Sequence, residues 1–208
     1  MAAATLRALT PEDQQLFDRF SYGARERAPF GCVHHAFEHQ AAAQPDAVAV
    51  EHLGDSITYG ELDRQANILA NHLRAIGVHP GVRVCLLVQR SILMVVGIVA
   101  VLKAGGAYAP LDGSIVTQST LEYVLEDSQA KLVLTLKDYA QRVSGVPAFC
   151  LEDISELPQD ATKPKDSSAP TDSIYIIYTS GVSYARRDRL LGSDLPIMHR
   201  NDRQAEGC

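Results

Sequence analysis

Residues 82–112, VRVCLLVQRSILMVVGIVAVLKAGGAYAPLD, decide the fold. Val82 to Val88 is near-continuously apolar, the pattern of a strand covered on both faces rather than one with a wet side. Ile92 to Ala104 is apolar all round for about four turns, which predicts a helix buried in the molecule. Gly105-Gly106 ends that helix, and Ala107 to Asp112 returns as a short strand running into a turn. A strand, a buried helix and a second strand in succession predict an α/β architecture: a mainly parallel sheet with helices on both faces.

The flanking sequence continues the alternation. Upstream, Val33, Phe37 and Ala41 stand at helical spacing until Gln44-Pro45-Asp46 stops the helix. Residues 47–53, AVAVEHL, alternate as a strand, and Gly54-Asp55 turns the chain back into residues 56–59 as a hairpin. Thr58 and Glu61 have capping-box spacing, and Leu62, Ala66, Leu69, Ala70, Leu73 and Ile76 form one apolar stripe that Gly77 and Pro80 close. Downstream, Leu121, Val124 and Leu125 mark another helix. Residues 131–136, KLVLTL, read as a strand, 137–143 as a helical turn, 146–153 as a strand, and 173–179, SIYIIYT, as a final strand.

Composition excludes several functional classes. The chain has 208 residues and a net charge of −6, so nothing draws it globally to nucleic acid or an anionic membrane. Cys32, Cys85, Cys150 and Cys208 form neither a CxxC pair nor a dense framework, which fits a reduced, cytoplasmic setting. The start lacks the apolar core of a signal peptide, and the longest apolar run, Ile92 to Leu102, covers about half a membrane span before Lys103 closes it. Residues 1–30 read as an extension with one short amphipathic helix carrying Leu16, Phe17 and Phe20. Residues 31–181 form the patterned domain. Within it, 155–173 has linker chemistry, with Pro158, Pro164 and Pro170 among Lys, Asp and Ser. Residues 182–208 hold five Arg, one aromatic residue and no sustained period, the composition of a disordered tail.

Two constellations could carry chemistry. His35, Glu38 and His39 match H-x-x-E-H, which on a helix puts two zinc ligands on one face with a carboxylate as general base; the ordinary alternative is a helix with polar residues flanking Phe37, and no metal is expected. Tyr178-Thr179-Ser180-Gly181 ends a strand in two hydroxyls and a glycine, where hydroxyls and free backbone N–H groups can converge on a phosphate; a plain turn is the other reading. No GxxxxGK[ST], GxGxxG or GxSxG occurs, so P-loop, dinucleotide and α/β-hydrolase chemistry are disfavoured.

Four segments in order resemble motifs of adenylate-forming enzymes, especially the adenylation domains of nonribosomal peptide synthetases and their fungal synthetase-like relatives. They are Ile57-Thr58-Tyr59-Gly60-Glu61-Leu62; Leu102-Lys103-Ala104-Gly105-Gly106-Ala107-Tyr108-Ala109-Pro110-Leu111-Asp112; Leu125-Glu126-Asp127-Ser128; and Ile174 to Gly181. The resemblance covers residues 31–181 and implies the N-terminal subdomain of the adenylate-forming fold. It implies ATP with Mg2+, a carboxylic or amino acid as substrate and a carrier-protein thiol as partner, with Thr179, Ser180 and Gly181 beginning the ATP phosphate loop.

The family's loop continues [ST]-[ST]-G-x-P-K-G, whereas Gly181 here is followed by Val-Ser-Tyr-Ala-Arg-Arg, with no lysine in register. No residue is therefore assigned a catalytic role. The expectation is a fragment of an acyl-adenylate-forming domain, inactive alone, with pattern lost at residue 182 as after a frame change or early stop. The competing expectations are a noncatalytic interaction module, self-associating through uncovered sheet edges, and a zinc hydrolase on the His35–His39 helix.

Overall fold

The computed structural model describes residues 10–20, 29–180 and 185–191. The chain divides into two compact units, one of them Phe30–Pro196. The other contains α1 (Pro11–Phe20), the helix expected from Leu16, Phe17 and Phe20. Thr10 caps α1: the Asp13 N–H donates to Thr10 Oγ1 at 3.1 Å, and that hydroxyl donates to Asp13 Oδ2 at 2.7 Å.

In the larger unit α2 (Val33–Ala43) precedes a hairpin of β1 (Val48–His52) and β2 (Asp55–Thr58). Then come α3 (Tyr59–Ala75), β3 (Arg83–Val88), α4 (Ile92–Ala104), β4 (Ala107–Asp112), α5 (Gln118–Ser128), β5 (Leu132–Thr135) and α6 (Lys137–Ala140). β6 (Ala148–Cys150), a 3₁₀ helix (Leu151–Glu156), β7 (Ser173–Ser180) and β8 (Ala185–Leu191) follow. The main sheet runs β6-β5-β3-β4-β7-β8; its first five strands are parallel and β8 is antiparallel to β7.

Alternation along β3 separates the two faces. Val84, Leu86 and Val88 share one core with Leu69 and Leu73 of α3 and Val96 and Ala100 of α4. Cys85 and Leu87 share the other with Leu121 and Leu125 of α5. Helices thus cover both faces, as the continuous apolar strand requires. Each fully buried Leu contributes about 1.5–3 kcal/mol of transfer free energy.

The glycine pair after α4 has two distinct tasks. Gly105 is left-handed at φ 90°; its N–H donates to Leu102 O and the Gly106 N–H to Val101 O, a Schellman closure of the helix. Gly106 is where chain meets chain: a Cβ there would lie 2.8 Å from Val78 Cγ1 and 3.2 Å from Val101 Cγ1.

Four expectations need correction. The hairpin turns on Leu53-Gly54, not Gly54-Asp55: both residues have positive φ, 52° and 92°, the backbone of a two-residue turn matched to strand twist. The strand expected over 146–153 is only Ala148–Cys150, because Leu151 and Ile154, three apart and both buried, wind the next residues into a 3₁₀ helix against the core. Residues 155–173, linker-like in composition, form a strap tied down from α3: Asn71 Nδ2 donates to Asp160 O at 3.1 Å and Thr162 O at 2.9 Å, and Asn67 Nδ2 to Ala161 O at 3.2 Å. In the stretch read as a disordered tail, residues 185–191 pair with β7 from Ala185 opposite Ser180 to Leu191 opposite Ser173. An open strand edge offers backbone partners whatever the side-chain period, so composition alone does not reveal such a strand. The rest of 182–208 lies outside the described residues, as does the Cys208 thiol.

Because Gly106 has no room for a methyl group, Gly106→Ala is expected to destabilise the unit by about 1–3 kcal/mol through overpacking. Urea unfolding read by circular dichroism checks this; an unchanged midpoint contradicts it.

Candidate functional site

Because β3, β4, β5 and β7 are parallel, their carboxyl ends lie at one edge of the sheet, with α4 leaving β3 and α5 following β4 on opposite faces. Open α/β sheets bind ligands at that edge, where successive connections diverge. Tyr108 pairs with Tyr175, and four residues further along each strand stand Asp112 and Thr179. Thr179 and Ser180 are the last two residues of β7, and Gly181 lies outside the described residues.

The surroundings of this edge are stiff. Asp112 Oδ1 accepts from the Ser114 hydroxyl at 2.6 Å and its N–H at 2.9 Å, bonds that hold the carboxyl below its usual range. Arg142 donates to Gly113 O at 2.6 Å and to Val116 O, pinning the loop after β4, and the Tyr139 ring fills the space a Cβ on Gly113 would need. Tyr178 donates its hydroxyl to Asp127 Oδ2 at 2.6 Å, and its ring meets Tyr123 edge-on at 6.3 Å. That bond joins the segment Leu125–Ser128 to the segment ending at Gly181, so α5 holds the end of β7 in place. Tyr108 and Tyr175 stack at 5.0 Å; burial pushes the Tyr108 hydroxyl up to about 12, with Tyr175 adding to the effect.

The H-x-x-E-H residues are not brought together as a zinc peptidase needs. His35 Nε2 lies 2.7 Å from Asp166 Oδ2, and the His39 ring faces Phe30 at 5.2 Å. Glu38 instead meets two ammonium groups, Lys103 Nζ at 2.9 Å and Lys163 Nζ at 2.7 Å. A carboxylate so engaged is not available as a general base, and the zinc-hydrolase reading fails on that geometry.

Lys103 is the unexpected member. The sequence shows it only as the residue that closes an apolar run, yet its side chain is 1% exposed. Its ammonium reaches Glu38 Oε1 of α2 at 2.9 Å, and Asp63 Oδ1 and Asn67 Oδ1 of α3 each at 2.8 Å. Glu38 and Asn67 accept hydrogen bonds from it, and Asp63 meets its charge as an ion pair. A lysine with acidic residues at several sequence separations carries no local signal; only the packing of α2, α3 and α4 assembles the cluster.

Residues 37–182 match the family model described as AMP-binding enzyme. The chain belongs to the AMP-binding enzyme family. It is 47% identical over 180 residues to adenylate-forming reductase 03009 of Coprinopsis cinerea, covering 84% of this chain and 18% of that protein. Among solved structures it is similar to the nonribosomal peptide synthetase FmoA3 in its AMPPNP-bound form, at 26% identity and a TM-score of 0.77 over 88% of this chain and 19% of that one. It also shares the fold of the Klebsiella oxytoca NpsA N-terminal subdomain, at 22% identity and a TM-score of 0.70 over 77% of this chain and 42% of that one. The chain thus spans about a fifth of the reductase's length and has the fold of the N-terminal part of an adenylation domain. Among the described residues no helix is long and apolar enough to cross a membrane.

Within this AMP-binding fold, Lys103→Met takes the buried cation from half-buried Asp63 and leaves Glu38 with Lys163 alone, and a loss of about 3 kcal/mol in urea unfolding is expected; a loss under 1 kcal/mol contradicts the role given to Lys103. The pH dependence has a definite sign. Burial pushes the Glu38 carboxyl up, but hydrogen bonds from Lys103 and Lys163 more than offset it and leave it below its ordinary value of 4.5. A lowered folded value means that stabilisation is full above 4.5 and is lost as pH falls below it. Urea midpoints measured from pH 6 to pH 3 should therefore fall less steeply in Glu38→Gln than in the parent; parallel curves contradict the assignment.

Proposed function

We propose that residues 31–181 form the scaffold and first phosphate-contacting strand of a domain that activates a carboxylic or amino acid with ATP, and that the 208-residue chain alone does not complete the reaction. The observation that carries this is β7, which ends in Thr179-Ser180 at the carboxyl edge of a parallel sheet and is anchored there by the Tyr178–Asp127 bond.

In the reaction a carboxylate oxygen attacks the α-phosphorus of ATP; the new O–P bond replaces the α–β phosphoanhydride bond, and pyrophosphate leaves with the electron pair. A carrier-protein thiol, losing its proton, then takes the acyl group as a thioester, and AMP leaves as the acyl–oxygen bond breaks. Lowering that barrier requires the triphosphate held in line and its growing charge met by preorganised donors. Backbone N–H groups and hydroxyls at Thr179, Ser180 and Gly181 would hold phosphate oxygens, each bond worth about 1 kcal/mol net. Three such contacts do not hold a triphosphate in water, and Val182-Ser183-Tyr184 supplies no lysine.

Magnesium would take most of its shell from water and phosphate oxygens, needing at most one or two protein carboxylates, and would neutralise phosphate charge. Near this edge Asp112 accepts from Ser114 through Oδ1 and Asp127 from Tyr178 through Oδ2, which leaves one oxygen of each carboxylate outside those bonds.

Self-association through sheet edges has weaker support: β8 lies along β7, and the opposite edge, β6, is three residues long. Of the large exposed apolar residues described, Leu16, Phe17 and Phe20 lie on α1 of the other unit, and Val48, Leu53, Ile76, Ile115 and Tyr123 are spread over separate elements and loops.

Two measurements test the proposal. The purified chain should give no ATP–pyrophosphate exchange with any carboxylic or amino acid, and robust exchange refutes the claim of inactivity. Residues 31–181, grafted in place of the matching span of the Coprinopsis reductase, should retain exchange within about tenfold, with Tyr178→Phe in the graft costing about a further tenfold, near 1.4 kcal/mol. A folded graft with no exchange refutes the scaffold assignment.

A further inference from the structure

The start of α2 gathers a set of donors that acyl-adenylate chemistry does not use. Cys32, the residue before the helix, and His34 and His35 in its first turn each place a ligating atom within 4.8 Å of the other two. The strap adds a fourth: Asp166 Oδ2 lies 2.7 Å from His35 Nε2, and Oδ1 lies 3.6 Å from His34 Nε2. Cys32 and His34 are each 5% exposed, while His35 and Asp166 side chains are 30% and 34% exposed. The cluster is closed beneath and open on one side, which provides an entry path.

His34 meets the His35 ring edge-on at 4.3 Å, yet one of its ring nitrogens makes no hydrogen bond. His34 Nε2 is buried and has no hydrogen-bond partner, since 3.6 Å to Asp166 is beyond hydrogen-bond reach. Buried ring nitrogens are rarely left so, and an orphan aimed at a thiol, an imidazole and a carboxylate points to an absent cation.

We propose that Cys32, His34, His35 and Asp166 form a structural zinc site that clamps the 155–173 strap to the start of α2. One sulfur, two nitrogens and one oxygen are a donor set that zinc accepts, and its mix of thiolate and imidazole excludes magnesium and calcium. With bonds of about 2.0–2.3 Å, donors around a tetrahedral zinc stand roughly 3.3–3.8 Å apart. The His34–Asp166 separation already has that value, and the site closes when the His35–Asp166 hydrogen bond opens to admit the ion. The Cys32 thiol proton leaves to solvent as the Zn–S bond forms; no oxidant or other reactant is needed. Four protein donors complete the shell, so the site is structural and not hydrolytic. It omits Glu38 and His39, and so differs from the H-x-x-E-H reading.

The test uses the full 208-residue chain with Cys150→Ser and Cys208→Ser, freed of metal by a chelator and titrated with Co2+ and then Zn2+. Cys85 is buried with its thiol pushed up to about 12 and does not compete. The expected results are one equivalent of Co2+ with a thiolate-to-cobalt charge-transfer band, displacement by Zn2+, and a melting temperature roughly 5–10 °C higher in saturating Zn2+ than in chelator. Cys32→Ser should abolish the band, and Asp166→Asn should weaken uptake at least tenfold with the circular dichroism spectrum unchanged. Absence of stoichiometric uptake by the parent overturns the proposal. So does undiminished uptake by folded Cys32→Ser and His34→Gln variants. Should His34→Gln fail to fold, the loss or persistence of the cobalt band in Cys32→Ser decides alone.

Discussion

Lys103 Nζ is the interaction on which the rest of the structure depends. A buried ammonium is tolerated when its donors find acceptors and its charge is met; here Glu38 and Asn67 accept from it, and Glu38 and Asp63 supply the opposite charge. The lysine sits on α4, the glutamate on α2, and the aspartate and asparagine on α3, so one side chain fixes the relative placement of three helices. Glu38 extends the cluster to Lys163 of the strap, and Asn67 also donates to Ala161 O. The segment that leads from the 3₁₀ helix to β7 is therefore laid over the same cluster. β7 itself is held beside β4 by strand pairing and by buried Ile174 and Ile176.

Apolar packing does the complementary work. Two cores, one on each face of β3, hold the sheet between α3 and α4 on one side and α5 on the other. The Gly105-Gly106 pair closes α4 and lets β4 begin against Val78 and Val101, which leaves Tyr108 in register with Tyr175. The motif from Leu102 to Asp112 is thus scaffold throughout: a buried cation, a helix stop, a close approach and a strand. The ligand chemistry proposed for the domain is placed at the end of β7.

Much of this was legible in residues 82–112 because a doubly covered strand and an all-apolar helix have periods that leave little choice. The Thr58 cap was legible for the same local reason: the Glu61 N–H donates to Thr58 Oγ1 at 3.2 Å, although the Glu61 carboxylate turns to Arg64 instead of back to the cap. What stayed hidden depends on contacts between distant segments. Asn67, Asn71 and Arg74 bind a strap about ninety residues away, and nothing in its proline-rich composition reports that. The link between Asp127 and Tyr178 is hidden in the same way. The H-x-x-E-H alternative set His35 and His39 on one metal with Glu38 as base because helical spacing is a local signal, whereas the partners of His35 and Glu38, Asp166 and Lys103, come from elsewhere in the chain.

Native-state hydrogen exchange on the 208-residue chain tests the central claim most directly. If Lys103 joins α2, α3 and α4 into one cooperative body, the protected amides of those helices should share the opening free energy of β3, β4 and β5, close to that of global unfolding. Exchange of α2 through a separate opening of much lower free energy, with the sheet still protected, would contradict the account.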